Sequence, residues 1–202
     1  MVERNCTLPF SFYCISDVQQ DVNTIFINED LDLETYWCKI ELFNLDFKDP
    51  TLYLDLDVVV QNNLDYLFDK IDETIKTIAF EDIGAYYPYD GNKDNILTIP
   101  LGIINSSIML FYPYLHKELY QKFIENIDYN IIHYYGLDRF ISNNYDSLSF
   151  LDFSKDYYHR AKGCLSDNRI DKYNLNYDPE RTICILSQCT DEHYKGLEKY
   201  FL

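Results

Sequence analysis

The sequence predicts an α/β domain with a mostly parallel sheet flanked by helices, and three observations carry the prediction. Strand-type and helix-type apolar patterns alternate along the chain. The run Leu52-Tyr53-Leu54-Asp55-Leu56-Asp57-Val58-Val59-Val60 is apolar almost throughout, as strands buried on both faces are. A length of 202 residues with 47% hydrophobic content supplies the core of one domain, residues 1–202.

Taken in order, residues 10–15 read as a strand ending at Ser16-Asp17, and residues 24–27 as a short second strand. Residues 34–45 carry Trp37, Ile40, Leu42 and Phe43 on a helical face that stops before Asp49-Pro50. The 52–60 strand follows. Asn62 or Asn63 then caps a short helix whose Leu64, Leu67 and Phe68 face inward. Residues 77–80 and 103–111 are strands, the second closed by Tyr112-Pro113. Residues 115–127 form a helix with Leu119, Phe123 and Ile127 on its inner side and His116 on its surface. Residues 131–144 are helical or mixed, and residues 182–186 are a late strand. In sheets of this kind, sites lie beyond the carboxyl ends of the strands.

Asp55 and Asp57 interrupt the apolar run two residues apart. On one extended strand they share a face, where two ionised carboxylates need a cation or dense hydrogen bonding. Oxygen donors of this type suit Mg²⁺ or Mn²⁺, which can bridge to a substrate diphosphate. The alternative is a strand that ends at Leu54, leaving both carboxylates in a loop.

Seventeen basic against 34 acidic residues give a formal charge of −17, which disfavours nucleic acid and anionic membranes as partners. A diphosphate meets the same repulsion, which strengthens the case for a divalent cation. No apolar segment approaches the ~20 residues of a membrane span, and no signal-peptide pattern opens the chain, so a cytoplasmic location is expected. The six cysteines form no Cys-x-x-Cys pair and read as reduced thiols. The sequons at Asn5 and Asn105 are accordingly expected to carry no glycan. The wealth of Ile, Asn, Tyr and Asp fits a low-GC genome such as that of a large DNA virus, with host cytoplasm or virion as the location in that case.

Three segments, Trp37-Cys38-Lys39-Ile40-Glu41-Leu42-Phe43, Pro50 through Asp57, and Asn62-Asn63-Leu64-Asp65-Tyr66-Leu67-Phe68, resemble the core of GT-A glycosyltransferases related to family eight. Ile104-Asn105-Ser106-Ser107-Ile108-Met109-Leu110 is similar to that family's Asn-Ser-Gly/Ser-Val-Met strand. Gly136-Leu137-Asp138-Arg139 resembles its acidic sugar-binding motif, with Arg139 where Gln is common. His193-Tyr194-Lys195-Gly196-Leu197-Glu198-Lys199 resembles its His-x-x-Gly-x-x-Lys. The resemblance spans roughly residues 9–200 and implies a Rossmann-like GT-A domain that begins late, short of its first strand.

It also implies a metal-dependent transfer of sugar from a nucleotide-diphosphate donor, a UDP-sugar, to a glycan or protein hydroxyl. In that scheme Asp55, Asp57 and His193 hold Mn²⁺ or Mg²⁺, and Lys39, Asp55, Gly196 and Lys199 bind the donor. Asp138 and Asn105 serve the sugar or acceptor hydroxyls. Family-eight relatives retain anomeric configuration, and no nucleophile is evident here. Two readings stand beside this one. Residues 52–59 also resemble the first motif of haloacid-dehalogenase phosphatases, with Asp55 as nucleophile and Asp57 as acid, although that motif normally opens its domain. A truncated sugar-nucleotide fold could also act as a binding module without turnover.

Overall fold

The computed structural model describes residues 1–33, 35–73, 78–82, 104–145, 148–151, 158–160 and 183–185. A short helix α1 (Val2–Asn5) leads to strands β1 (Tyr13–Ser16) and β2 (Asn23–Phe26). A ten-residue 3₁₀ helix, Thr35–Asn44, precedes β3 (Thr51–Leu54) and β4 (Val58–Val60). A second 3₁₀ helix, Asp65–Lys70, leads to β5 (Ile78–Asp82) and β6 (Ile104–Phe111). Helices α2 (Lys117–Ile124), α3 (Ile127–Tyr134) and α4 (Leu137–Asn144) follow, then strands β7 (Leu148–Leu151), β8 (Tyr158–Arg160) and β9 (Ile183–Ile185).

The alternation of strands and helices fits the expected α/β class, and among the described residues the strands form three ladders in which parallel and antiparallel pairings are mixed, where mostly parallel pairing was expected. Strands β1 and β2 pair in parallel, and two further ladders run in the orders β3-β6-β5-β7 and β4-β9-β8. Among the described residues β5/β7 and β8/β9 are also parallel, whereas β3/β6, β5/β6 and β4/β9 are antiparallel. Apolar runs mark where a strand lies and say nothing of its direction, which long-range pairing sets. The expected first strand 10–15 forms as β1 and pairs with β2 alone among the described residues.

Strand β6 organises the core because it is covered on both faces. Its alternate residues diverge, as a pleated strand requires. Met109 and Phe111 pack with Trp37, Ile40, Phe43, Leu119, Phe123 and Phe140 on one side. Ile108 and Leu110 pack with Val58, Val60, Leu64 and Leu67 on the other. Stacking of Trp37 on Phe123 at 5.2 Å and the edge contact of Phe123 with Phe140 at 5.3 Å join the Thr35–Asn44 helix to α2 and α4.

The helix expected over 115–127 is divided. The side chain of Asn126 accepts the Tyr129 N–H to begin α3, and buried Asn130 donates to the Lys122 and Phe123 carbonyls that end α2. His116 lies inside the core, 0% exposed, against the rings of Phe111 and Tyr145, and not on the surface. The 3₁₀ turn Pro113–Leu115 delays the start of α2 to Lys117, so His116 does not occupy the outward helical position its spacing implies. The cap position of the Asp65–Lys70 helix falls to Leu64, which offers no side-chain cap, and not to Asn62 or Asn63; Asn63, one residue earlier, still accepts the Asp65 N–H at 2.9 Å. Bonds from the Thr7 N–H and hydroxyl, the first at 2.9 Å, hold the Asp65 carboxyl down at about 2 and tie the N-terminal segment to the Asp65–Lys70 helix.

Asn105 is 6% exposed within β6, where a glycan has no room, and the side-chain nitrogen of Asn5 donates to the Met1 and Val60 carbonyls. Cys6, Cys14 and Cys38 are free thiols. Among the described residues no helix is long and apolar enough to cross a membrane.

Candidate functional site

The apolar run 52–60 is not one strand. Its first part, β3, ends at Leu54 after pairing with β6, and its last part, β4, joins a different ladder against β9. Between them Asp55, Leu56 and Asp57 form a tight turn, closed by the Val58 N–H donating to the Asp55 carbonyl at 3.1 Å, with Leu56 fully exposed at the tip. The carboxylates therefore do not share a strand face, which corrects the one-strand reading and favours its loop alternative. The physical cause is the cost of burying two like charges in a sheet: a turn lets the apolar halves pair separately and brings the acids to an edge. Asp55 still sits directly beyond the carboxyl end of β3.

The polar triplet Asn105-Ser106-Ser107 of β6 lies opposite this turn. The Ser107 carbonyl accepts the Asp55 N–H at 2.9 Å, continuing the β3/β6 ladder by one residue. On the other side, the β5/β6 register slips after Phe80, passing from Met109 to Asn105. That slip leaves the Ser106 N–H, which points away from β3, to be taken by another group. Asp138, in the first turn of α4, takes it through Oδ1 at 3.0 Å.

The Thr35–Asn44 helix delivers Lys39 to the same place. Its Nζ lies 2.7 Å from Asp55 Oδ2 and donates to the Ser106 hydroxyl at 3.4 Å; the Lys39 and Asp55 side chains are only 14% and 20% exposed. The other Asp55 oxygen, Oδ1, accepts the Tyr53 hydroxyl at 2.6 Å, and the Lys39 ammonium stands 5.7 Å from the centre of the Tyr53 ring. Burial, and then the Asp55 charge, push the Tyr53 phenol far up, so it stays a neutral donor. Asp138 is half-buried. Burial raises its pKa, against the opposing pull of Ser106 and Lys39.

The structure thus brings Lys39, Asp55, Asn105 and Asp138 together, with Asp57 two residues along the turn from Asp55. Asn105 departs from expectation in one respect: its side-chain oxygen accepts the Ser107 N–H at 2.8 Å, so the chain itself supplies the partner expected from substrate hydroxyls. His193, Gly196 and Lys199 lie outside the described residues. Among the described residues no group of three His, Cys, Asp or Glu side chains gathers to hold a metal ion. Two participants were missed, Ser106 and Tyr53. The signal for Tyr53 was its i, i+2 relation to Asp55, the same pleat logic that was applied forward to Asp57.

No family model matches the chain. No curated protein matches it either. Solved structures do. The glycosyltransferase GlyE of Streptococcus pneumoniae TIGR4 superposes with a TM-score of 0.56 at 15% identity, over 89% of this chain and 47% of that one. The galactosyltransferase LgtC, crystallised with donor and acceptor sugar analogues, superposes with a TM-score of 0.52 at 13% identity, over 88% of this chain and 73% of that one. The fold is therefore of the glycosyltransferase type, and the chain spans about half the length of GlyE.

Proposed function

We propose that this chain is a glycosyltransferase that moves a sugar from a nucleotide-diphosphate donor, a UDP-sugar, to an acceptor hydroxyl on a glycan or protein. The observation that carries the reading is the convergence of Lys39, Asp55, Ser106 and Asp138 at the carboxyl end of β3, within a fold shared with glycosyltransferases. The same fold likeness favours transfer over the phosphatase reading of residues 52–59.

A divalent cation fits the chemistry of the turn. Asp55 and Asp57, two residues apart, offer hard carboxylate oxygens suited to Mn²⁺ or Mg²⁺, and His193 is the proposed third ligand. When bound, such an ion would neutralise charge on the diphosphate. The chain's own residues do the rest. On a protein of net charge −17, the Lys39 ammonium is a local positive charge that attracts the diphosphate, and Lys199 with the Gly196 backbone would add to it. Asp138, fixed by the Ser106 N–H, presents its remaining oxygen to donor-sugar hydroxyls. Asn105 holds the Ser106-Ser107 backbone in the geometry that both acids use.

Calorimetry with UDP, with and without Mn²⁺, followed by UDP release from UDP-glucose and UDP-galactose, tests this. Mn²⁺-dependent UDP binding and slow donor hydrolysis are expected. Phosphate release from p-nitrophenyl phosphate without UDP binding would replace the transferase with the phosphatase, and neither activity would leave the binding module.

A further inference from the structure

Resting on the transferase reading, we propose that Tyr53 is a positioning residue of the site: its hydroxyl, with the Lys39 ammonium, fixes the Asp55 carboxylate in one orientation for donor binding. Asp55 is the first residue beyond a strand, in a turn whose tip is fully exposed, and its own side-chain torsions leave the carboxylate several staggered orientations. Two partners remove that freedom. The Tyr53 hydroxyl holds Oδ1 at 2.6 Å and the Lys39 ammonium holds Oδ2 at 2.7 Å, so both ends of the carboxylate plane are pinned from opposite elements, β3 and the Thr35–Asn44 helix.

Tyr53 touches both members of the ion pair, because its ring also faces the Lys39 ammonium. Packing does not require the hydroxyl. The ring packs against the core cluster to which Phe43, Met109 and Phe111 belong, and a phenylalanine would fill the same space. What the oxygen adds is one short, charge-assisted bond to Asp55.

The test compares the full chain with Tyr53→Phe, Asp55→Asn and the double variant, titrating UDP by calorimetry in Mn²⁺ and in EDTA and recording ligand-free melting. Tyr53→Phe is expected to weaken UDP binding about tenfold in Mn²⁺, to leave binding in EDTA within twofold of the parent, and to shift melting little. In the Asp55→Asn background it should change UDP binding less than twofold, because the group it acts through is gone. Binding within twofold of the parent in Mn²⁺, or an equal loss with and without Mn²⁺, would overturn the proposal by showing an idle hydroxyl or a general packing defect. If the parent chain binds no UDP at all, the transferase reading falls first and this inference with it, a result distinct from either.

Discussion

Replacing Lys39 by methionine separates the two demands made on Asp55. The pair is close, 2.7 Å, and neither side chain is more than 20% exposed, so it lies between the surface and buried limits. Exposed ion pairs contribute about 0.2–1 kcal/mol, and removing one partner of a fully buried pair costs about 3–5 kcal/mol, which places Lys39→Met near 2 kcal/mol. For a chain of 202 residues each kcal/mol moves the melting temperature by about 2–4 °C, so a drop of about 4–8 °C is expected in EDTA. A divalent cation reverses part of the loss. In the parent it must compete with the ammonium for Asp55; in the variant it meets a carboxylate held by the Tyr53 hydroxyl alone. Mn²⁺ at about a hundred times its dissociation constant stabilises a folded chain by about 2.7 kcal/mol, and the variant reaches that ratio at lower concentration. Thermal unfolding followed by circular dichroism, in EDTA and across a Mn²⁺ series, reads both effects. Melting of the variant within 1 °C of the parent in EDTA, or a Mn²⁺ shift no larger than the parent's, would refute the reasoning; UDP-sugar turnover in Mn²⁺ should fall.

Three further outcomes are expected. Asp57→Asn should abolish Mn²⁺-dependent UDP binding while leaving the fold as firm or firmer, since the turn is closed by the backbone of Asp55 and Val58 and one like charge is removed; calorimetry showing unchanged binding would remove Asp57 from the metal site. Deleting residues 191–202 should weaken UDP binding far more than it lowers ligand-free melting, and equal binding by both chains would strip His193, Gly196 and Lys199 of their proposed roles. Glu41 is buried, and burial raises its pKa above the ordinary 4.5. Below that value both states are protonated; above it the unfolded chain ionises first, so stability is lost as pH climbs from 4.5 through the higher folded value. Glu41→Gln should flatten this decline and be the more stable chain at pH 7, and urea unfolding curves with identical pH profiles would disprove it.

Much of the fold was legible because apolar spacing reports burial directly. The strands at 13–16, 23–26, 78–82, 104–111 and 183–185, and the helical face of Trp37, Ile40 and Phe43, all fall where periodicity puts them. Three features were not legible, each for a physical reason. Strand direction depends on which distant run is the partner, and the pairing of Thr51–Leu54 with 108–111 is invisible to a local pattern. The turn at Asp55-Leu56-Asp57 carries no Gly or Pro, so a run divided between two ladders reads as one strand. His116 follows a proline turn, which shifts helix phase by a step that no hydrophobic count registers. Strand β7 did carry a signal, the alternation Leu148, Ser149, Phe150, but four residues are too few to stand out.

The location of the site follows from these same departures. An apolar strand with three consecutive polar residues is costly unless each finds a partner, and β6 meets that demand by breaking register with β5 between Asn105 and Met109, which takes Ser106 and Ser107 out of that ladder. The break hands the Ser106 N–H, which a regular ladder would give to β5, to the Asp138 carboxylate, while the Ser107 carbonyl stays in the β3 ladder through the Asp55 N–H. Lys39 then joins Asp55 to the Ser106 side chain across the same gap. A regular ladder would satisfy the Ser106 N–H from β5 and take that partner from Asp138, and a continuous 52–60 strand would leave Asp55 opposite Ser107 and carry Asp57 on into the sheet. The irregularities that defeat sequence reading are therefore the ones that assemble Lys39, Asp55 and Asp138 at one strand end, which is why their types and spacing were readable while the geometry joining them was not.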